Sequence, residues 1–155
     1  MQRQTAPFRA DTVGSFLRPA AIKHAREKFH AGEIGADELR DIENDAIRDV
    51  VAKQRENGLK VVTDGEFRRG WWHFDFFYGL KGVEHFEAEQ GIQFNGVQTK
   101  AHGVKITGKL GFDGHPMLDH FRFLQSVAGD AVAKMTIPSP SVRAASALSA
   151  GSAPL

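Results

Sequence analysis

Residues 36–63 constrain the fold of this chain more than any other segment. From Ala36 to Asn57 the apolar residues Leu39, Ile42, Ala46, Ile47, Val50 and Val51 recur at about 3.6-residue spacing, which predicts a long helix with one buried face. Gly58 supplies the left-handed stop that commonly ends such a helix. Leu59–Thr63 follows at once as a short, β-branched run, too short for another helix and suited to a buried strand. Upstream, Phe8–Val13 reads as a strand, Gly14–Arg18 as a loop, and Pro19 as the first residue of a helix that runs to Phe29 and stops near Gly32. The resulting β-α-α-β order points to a parallel α/β protein.

Downstream of Thr63 the pattern continues with one interruption. Trp71–Leu80 predicts a short aromatic helix, and glycines at 82, 91, 96 and 103 punctuate alternating segments that suit a β-hairpin excursion. Val104–Leu110 predicts a returning strand, Met117–Val127 a helix with Leu118, Phe121, Leu124 and Val127 on its apolar face, and Ala131–Ile137 a fourth strand. Strands separated by helical material predict parallel pairing with right-handed crossovers. The expected fold class is therefore α/β, an incomplete (β/α)8 TIM barrel of about four β/α units, because 155 residues fall short of the ~250 that a whole barrel typically needs.

Two segments are expected: 1–142, the N-terminal half of such a barrel, and 143–155, a tail in which ten of thirteen residues are Ala, Ser, Gly or Pro. An open half sheet leaves its last strand bare. The expectation is a truncated or frame-shifted product, or one half completed by another chain.

Composition narrows the partners. A formal charge of +1, with 25% charged residues, gives no reason to expect a nucleic-acid partner. With no cysteine there is neither a disulfide framework nor a thiolate metal site within these residues. No run approaches the ~18 apolar residues of a membrane span, and the N-terminus lacks the apolar core of a signal peptide, so a cytoplasmic protein without a membrane partner is expected.

Chemistry is expected at the end of the second strand. Lys60–Thr63 breaks off into Asp64-Gly65-Glu66-Phe67-Arg68-Arg69, and then into Trp71-Trp72-His73-Phe74-Asp75-Phe76-Phe77. In parallel α/β proteins the C-terminal ends of strands face ligand, and Glu66 stands there directly after a glycine that permits a turn or a close approach. From spacing alone the reading stays open between a ligand-facing carboxylate and a turn acid that is solvated or paired with Arg68 or Arg69.

These residues, with Thr12-Val13-Gly14-Ser15-Phe16-Leu17-Arg18-Pro19 and Thr136-Ile137-Pro138-Ser139-Pro140, resemble the catalytic domain of the cobalamin-independent methionine synthase family. The resemblance spans about residues 8–142 and is closest to stand-alone bacterial members that lack the long enzyme's N-terminal half. It implies a barrel that transfers a methyl group from 5-methyltetrahydrofolate, as its polyglutamate, to homocysteine, with zinc holding the sulfur as thiolate. By position, Val13, Gly14 and Ser15 match the loop that holds the amino-acid substrate, and Glu66 matches the acid that binds its ammonium. A looser match sets His102 and Gly103 near a folate-contacting stretch, and they are not taken as site residues. The family's Cys, His and Glu zinc ligands belong to the second half of the barrel, so no metal ligand and no catalytic residue is assigned here, and the chain alone is expected to be inactive.

An amino-acid ligand needs hydrogen-bond donors for its carboxylate and a fixed anion for its ammonium, which Ser15 with nearby N–H groups and Glu66 can supply. Ser15 also reads as a cap of the helix starting at Pro19. Arg18 and Arg69 read as solvent-facing or ion-paired. The seven histidines, including His73 with Asp75 and His115 with His120, have no spacing that makes a compact ligand set. The aromatic run 71–77 reads as core and lid packing or as a pterin-stacking surface. Two other functions remain: a non-enzymatic binding module whose half barrel forms a homo-oligomer to cover its open edge, and a related barrel methyltransferase using another thiol or methyl donor.

Overall fold

The computed structural model describes residues 12–88, 93–94, 97–98 and 101–139. Most of the strand expected over Phe8–Val13, and the whole of the tail 143–155, lie outside them. The chain divides into two compact units, Met1–Arg69 with Asp119–Thr136, and Gly70–Leu118 with Ile137–Leu155.

In the first unit, helix α1 (Ala20–His30) begins one residue after Pro19, and helix α2 (Ala36–Glu56) runs almost the full predicted length. Asp37 and Glu38 in the first turn of α2, and Lys53 and Arg55 in its last, complement the helix dipole. The buried stripe of α2 is Glu43, Ile47, Val51 and Gln54, rotated slightly from the apolar stripe and half polar. Ile47 and Val51 join Ile22 of α1, Val62, Phe67, Leu124 and Ala128 in one apolar cluster. Each large side chain buried there stabilises the unit by roughly 1.5–3 kcal/mol. Leu124 and Ala128 come from the end of helix α4 (Pro116–Val127) and the turn after it.

Strand β1 (Val61–Val62) lies parallel to β6 (Val132–Ala133), pairing Val61 with Val132 and Val62 with Ala133. Past the end of β1 a parallel bridge joins Ser15 to Gly65, and Phe16 N–H donates to the Gly65 carbonyl at 3.1 Å. Parallel pairing thus involves three segments, β1 with β6 and the single bridge at Ser15. The strand is shorter than the expected Leu59–Thr63 for an identifiable reason. Thr63 gives its N–H to Gln54 Oε1 at 3.0 Å, and its carbonyl accepts from Gln54 Nε2 at 2.8 Å, so a helix side chain replaces the neighbouring strand.

The second unit corrects one expectation. Val104–Leu110 is not a parallel wall strand: it belongs to β5 (Ala101–Gly111), which pairs antiparallel with β2 (Lys81–Ala88) in the register Val83 to Ile106 and His85 to Val104. The hairpin signal was right but too short. Alternation in both segments makes a two-stranded ribbon, and β3 (Gln93–Phe94) and β4 (Val97–Gln98) form a separate small antiparallel pair. Among the described residues, therefore, parallel pairing involves three segments, not four. The aromatic helix is also shorter, α3 (Phe74–Tyr78), because Asp75 turns its carboxylate back onto the N–H groups of Gly70 (2.7 Å) and Trp71 (3.1 Å). His115 is buried, its Nδ1 accepting from Met117 N–H at 3.1 Å, which leaves Nε2 as the donor to the Phe76 carbonyl at 2.8 Å.

Candidate functional site

The site grows out of the end of β1. Beyond Val62 the chain enters Thr63, whose hydroxyl donates to the Gly14 carbonyl at 2.7 Å and accepts from Gly65 N–H at 3.2 Å. One buried hydroxyl therefore ties the Gly14–Ser15 loop to the Gly65–Glu66 turn. Asp64, also buried, accepts the Glu66 N–H at 2.9 Å, which bends the chain into a tight turn.

Gly65 and Glu66 both adopt left-handed backbone, with φ of 67° and 57°. Glycine does this freely, whereas Glu66 is alone among the described non-glycine residues in doing so, and for a residue with a Cβ the conformation stores strain on the order of 1–3 kcal/mol. Cations hold the turn in place. Arg18 Nη2 donates to the Arg69 carbonyl at 2.6 Å and to that of Glu66 at 3.4 Å, while Arg26 donates to Phe67 O at 2.7 Å and Arg69 O at 3.1 Å. Behind them, the Glu43 carboxylate receives Arg26 and Arg68, each at 3.3 Å. Arg68 also donates to Asn44 and stacks over the Phe123 ring. Burial pulls the Arg68 guanidinium below its ordinary range, and Glu43 opposes that pull.

Glu66 is buried, its side chain 10% exposed. Its Oε1 accepts from the Thr136 hydroxyl at 2.6 Å and lies 3.5 Å from Arg69 Nη1. Gly14 is buried beside it at φ 144°, and a Cβ there would stand 2.9 Å from Thr136 Cγ2 and 3.7 Å from Glu66 Oε1. Only the absence of a side chain permits this approach. The structure thus brings Gly14, Ser15 and Glu66 together at adjoining strand ends, with Ser15 exposed, while the Val13 side chain is 83% exposed.

Several expectations change. Ser15 does not cap α1, which begins at Ala20 with Pro19 as its N-cap and no side-chain capping bond. Arg69 is buried rather than solvent-facing and pairs with Glu66, the ion-paired alternative of the sequence reading. Thr63, Gln54, Arg26, Glu43 and Thr136 carried no individual signal in the reading of the chain, although Thr136 sits inside a motif that did. Gly103 lies on β5 against the Phe86 ring, and the His102 side chain lies outside the described residues.

A metal set does not form here. Among the described residues no three His, Cys, Asp or Glu side chains gather, and the sequence contains no cysteine, so the donor set implied for zinc is not offered by these residues. His73 and His120 are instead held below the ordinary imidazole value, both chiefly by burial, His120 also by Arg68 and Arg69. No helix among the described residues is long and apolar enough to cross a membrane.

The arrangement defines an α/β protein with a carboxylate held in a strained turn at the carboxyl ends of parallel segments. The chain belongs to the cobalamin-independent synthase family, whose catalytic-domain pattern matches residues 8–114. It is 61% identical over 142 residues to the uncharacterized protein YxjG of Bacillus subtilis, covering 92% of this chain and 38% of that protein. A methionine synthase of Sulfolobus acidocaldarius is 30% identical over 135 residues, or 83% of this chain and 37% of its own. A solved structure from Listeria monocytogenes, assigned as a vitamin-B12-independent methionine synthase, superposes with a TM-score of 0.73 at 51% identity, covering 90% of this chain and 39% of that one. The chain spans well under half the length of the relatives it matches.

Proposed function

We propose that this chain carries the amino-acid-binding edge of a folate-dependent methyltransferase site of the methionine synthase type. In this reading residues 1–142 are the family-like portion, residues 143–155 stand outside it, and the segments at Ser15, β1 and β6 are successive strands of an incomplete barrel wall. The reaction is methyl transfer from 5-methyltetrahydrofolate, as its polyglutamate, to the sulfur of homocysteine, giving methionine. Family membership supports the reaction class, and the geometry supports the share of it given to these residues.

The observation that carries the proposal is the buried Glu66 carboxylate, set in a left-handed turn beside a glycine whose missing side chain permits the close approach. A protein spends backbone strain and buries an acid where a ligand charge is to be met. In this role Glu66 receives the α-ammonium of homocysteine, while the Ser15 hydroxyl and main-chain N–H groups of the Val13–Ser15 loop receive its carboxylate. Thiol activation is not assigned to any residue described here. Zinc, which would hold the sulfur as thiolate at neutral pH, has no donor set among the described residues.

Calorimetric titration of the 155-residue chain with L-homocysteine and with 4-mercaptobutanoate, which lacks the amino group, tests the reading. The expected result is at least a tenfold preference for the amino acid, removed by Glu66→Gln. Equal affinity for the two compounds, or a preference that survives Glu66→Gln, contradicts it.

A further inference from the structure

Resting on the reading of Glu66 as the ammonium-binding carboxylate, we infer that Thr136 is the positioning residue that holds this carboxylate ready for the ligand, and that Arg69 in turn holds Thr136. Thr136 lies beyond the end of β6 at Ala133, where the ladder hydrogen bonds have stopped. Other contacts fix it. Its hydroxyl donates to Glu66 Oε1 at 2.6 Å, its carbonyl accepts from Arg69 Nη2 at 2.6 Å, and its methyl fills the space that a side chain on Gly14 would need.

The two neighbours of Glu66 do different work. Arg69 Nη1, at 3.5 Å from Oε1, is too far for a good hydrogen bond and supplies charge. Thr136 supplies the short, directional contact, at the length of a charge-assisted O–H···O⁻ bond. A glutamate has several rotatable bonds, and an ammonium that must order them on arrival binds more weakly than one meeting a carboxylate already fixed. Because the threonine's single proton is committed to Glu66, Thr136 acts through that residue rather than on the ligand. A serine keeps this proton, whereas a valine keeps the shape and loses it.

The chain places the threonine with care. Arg69 is only three residues from Glu66 yet reaches the Thr136 main chain, so one side chain links the turn after β1 to the segment after β6. Gly14 completes the enclosure, since an added Cβ would press on Thr136 Cγ2 and push the hydroxyl from Oε1.

The test measures affinities of the full chain for L-homocysteine and 4-mercaptobutanoate in Thr136→Val and Thr136→Ser. The preference for the amino acid should fall about five- to tenfold in Thr136→Val, with affinity for 4-mercaptobutanoate unchanged, and should return in Thr136→Ser. A purely structural role would weaken both compounds together. If Thr136→Val does not fold by circular dichroism, Thr136→Ala reads the same ratio, since it also removes the hydroxyl without burying an extra methyl beside Glu66. An unchanged preference in Thr136→Val, or equal loss for both compounds, overturns the inference while the role of Glu66 stands. A wild-type chain with no preference overturns the Glu66 reading, and the inference falls with it.

Discussion

Replacing Glu43 by leucine removes the acid on which the cationic cradle of the Glu66 turn depends. Its side chain is 10% exposed and accepts from Arg68, at 7% exposure, and from Arg26, at 23%, each at 3.3 Å. Removing one partner of a buried ion pair costs about 3–5 kcal/mol, because the remaining charge stays desolvated. The lower end applies here. Arg26 keeps the carbonyls of Phe67 and Arg69, and Arg68 keeps Asn44 and the Phe123 ring, so neither guanidinium is stranded. A loss of about 3 kcal/mol corresponds to a fall in thermal midpoint of roughly 6–12 °C for a chain of this size. Far-UV circular dichroism is the appropriate signal because α1 and α2 both lie in the affected unit, whereas Trp71 and Trp72 lie in the other. Glu43→Gln, which keeps an acceptor but not the charge, should lose about half as much. A midpoint within 2 °C of wild type for Glu43→Leu would refute the view that this network holds the turn.

Three further outcomes follow from the geometry. Gln54→Leu strands the buried N–H and carbonyl of Thr63 and should cost about 2–4 kcal/mol in urea unfolding, with Gln54→Glu, which keeps only the acceptor, falling in between. Gly14→Ala meets both a φ of 144° and a contact at 2.9 Å with Thr136, and should lose about 2 kcal/mol together with the preference for amino-acid ligands in the calorimetric assay. Because burial and two nearby arginines lower the folded-state pKa of His120, the unfolded chain takes up its proton first as pH falls. Its stabilising contribution is complete above 6.5 and is lost as pH drops from there toward the folded value, so His120→Gln should flatten the acid side of a stability–pH curve, part of which His73 will retain.

The long helix and the strand at its end were legible because apolar spacing, a glycine stop and a β-branched run all agreed. What escaped was the polar half of the helix's buried face. Glu43 and Gln54 carry residue types that normally mark a solvent face, and nothing local says that one anchors two arginines and the other stands in for a strand. The ribbon was half legible for a different reason. Period-two alternation identifies a strand but not its partner's direction, so Val104–Leu110 fitted a parallel wall as well as the antiparallel pairing it makes with β2. At the site, the glycine before Glu66 signalled a special backbone, yet the strain lies in Glu66 as well. Thr136 reaches it from 70 residues away, a contact that only the fold creates, whereas the pair with Arg69 was among the alternatives that spacing left open.

The most direct measurement of the central claim is a crystal structure of the 155-residue chain grown with saturating L-homocysteine. The account predicts the ligand's ammonium nitrogen within about 3 Å of a Glu66 carboxylate oxygen, with Thr136 still donating to Oε1 and the ligand carboxylate on the Ser15 side. A ligand bound away from Glu66, or a Glu66 carboxylate that keeps Thr136 and Arg69 as its only partners at saturation, would contradict it.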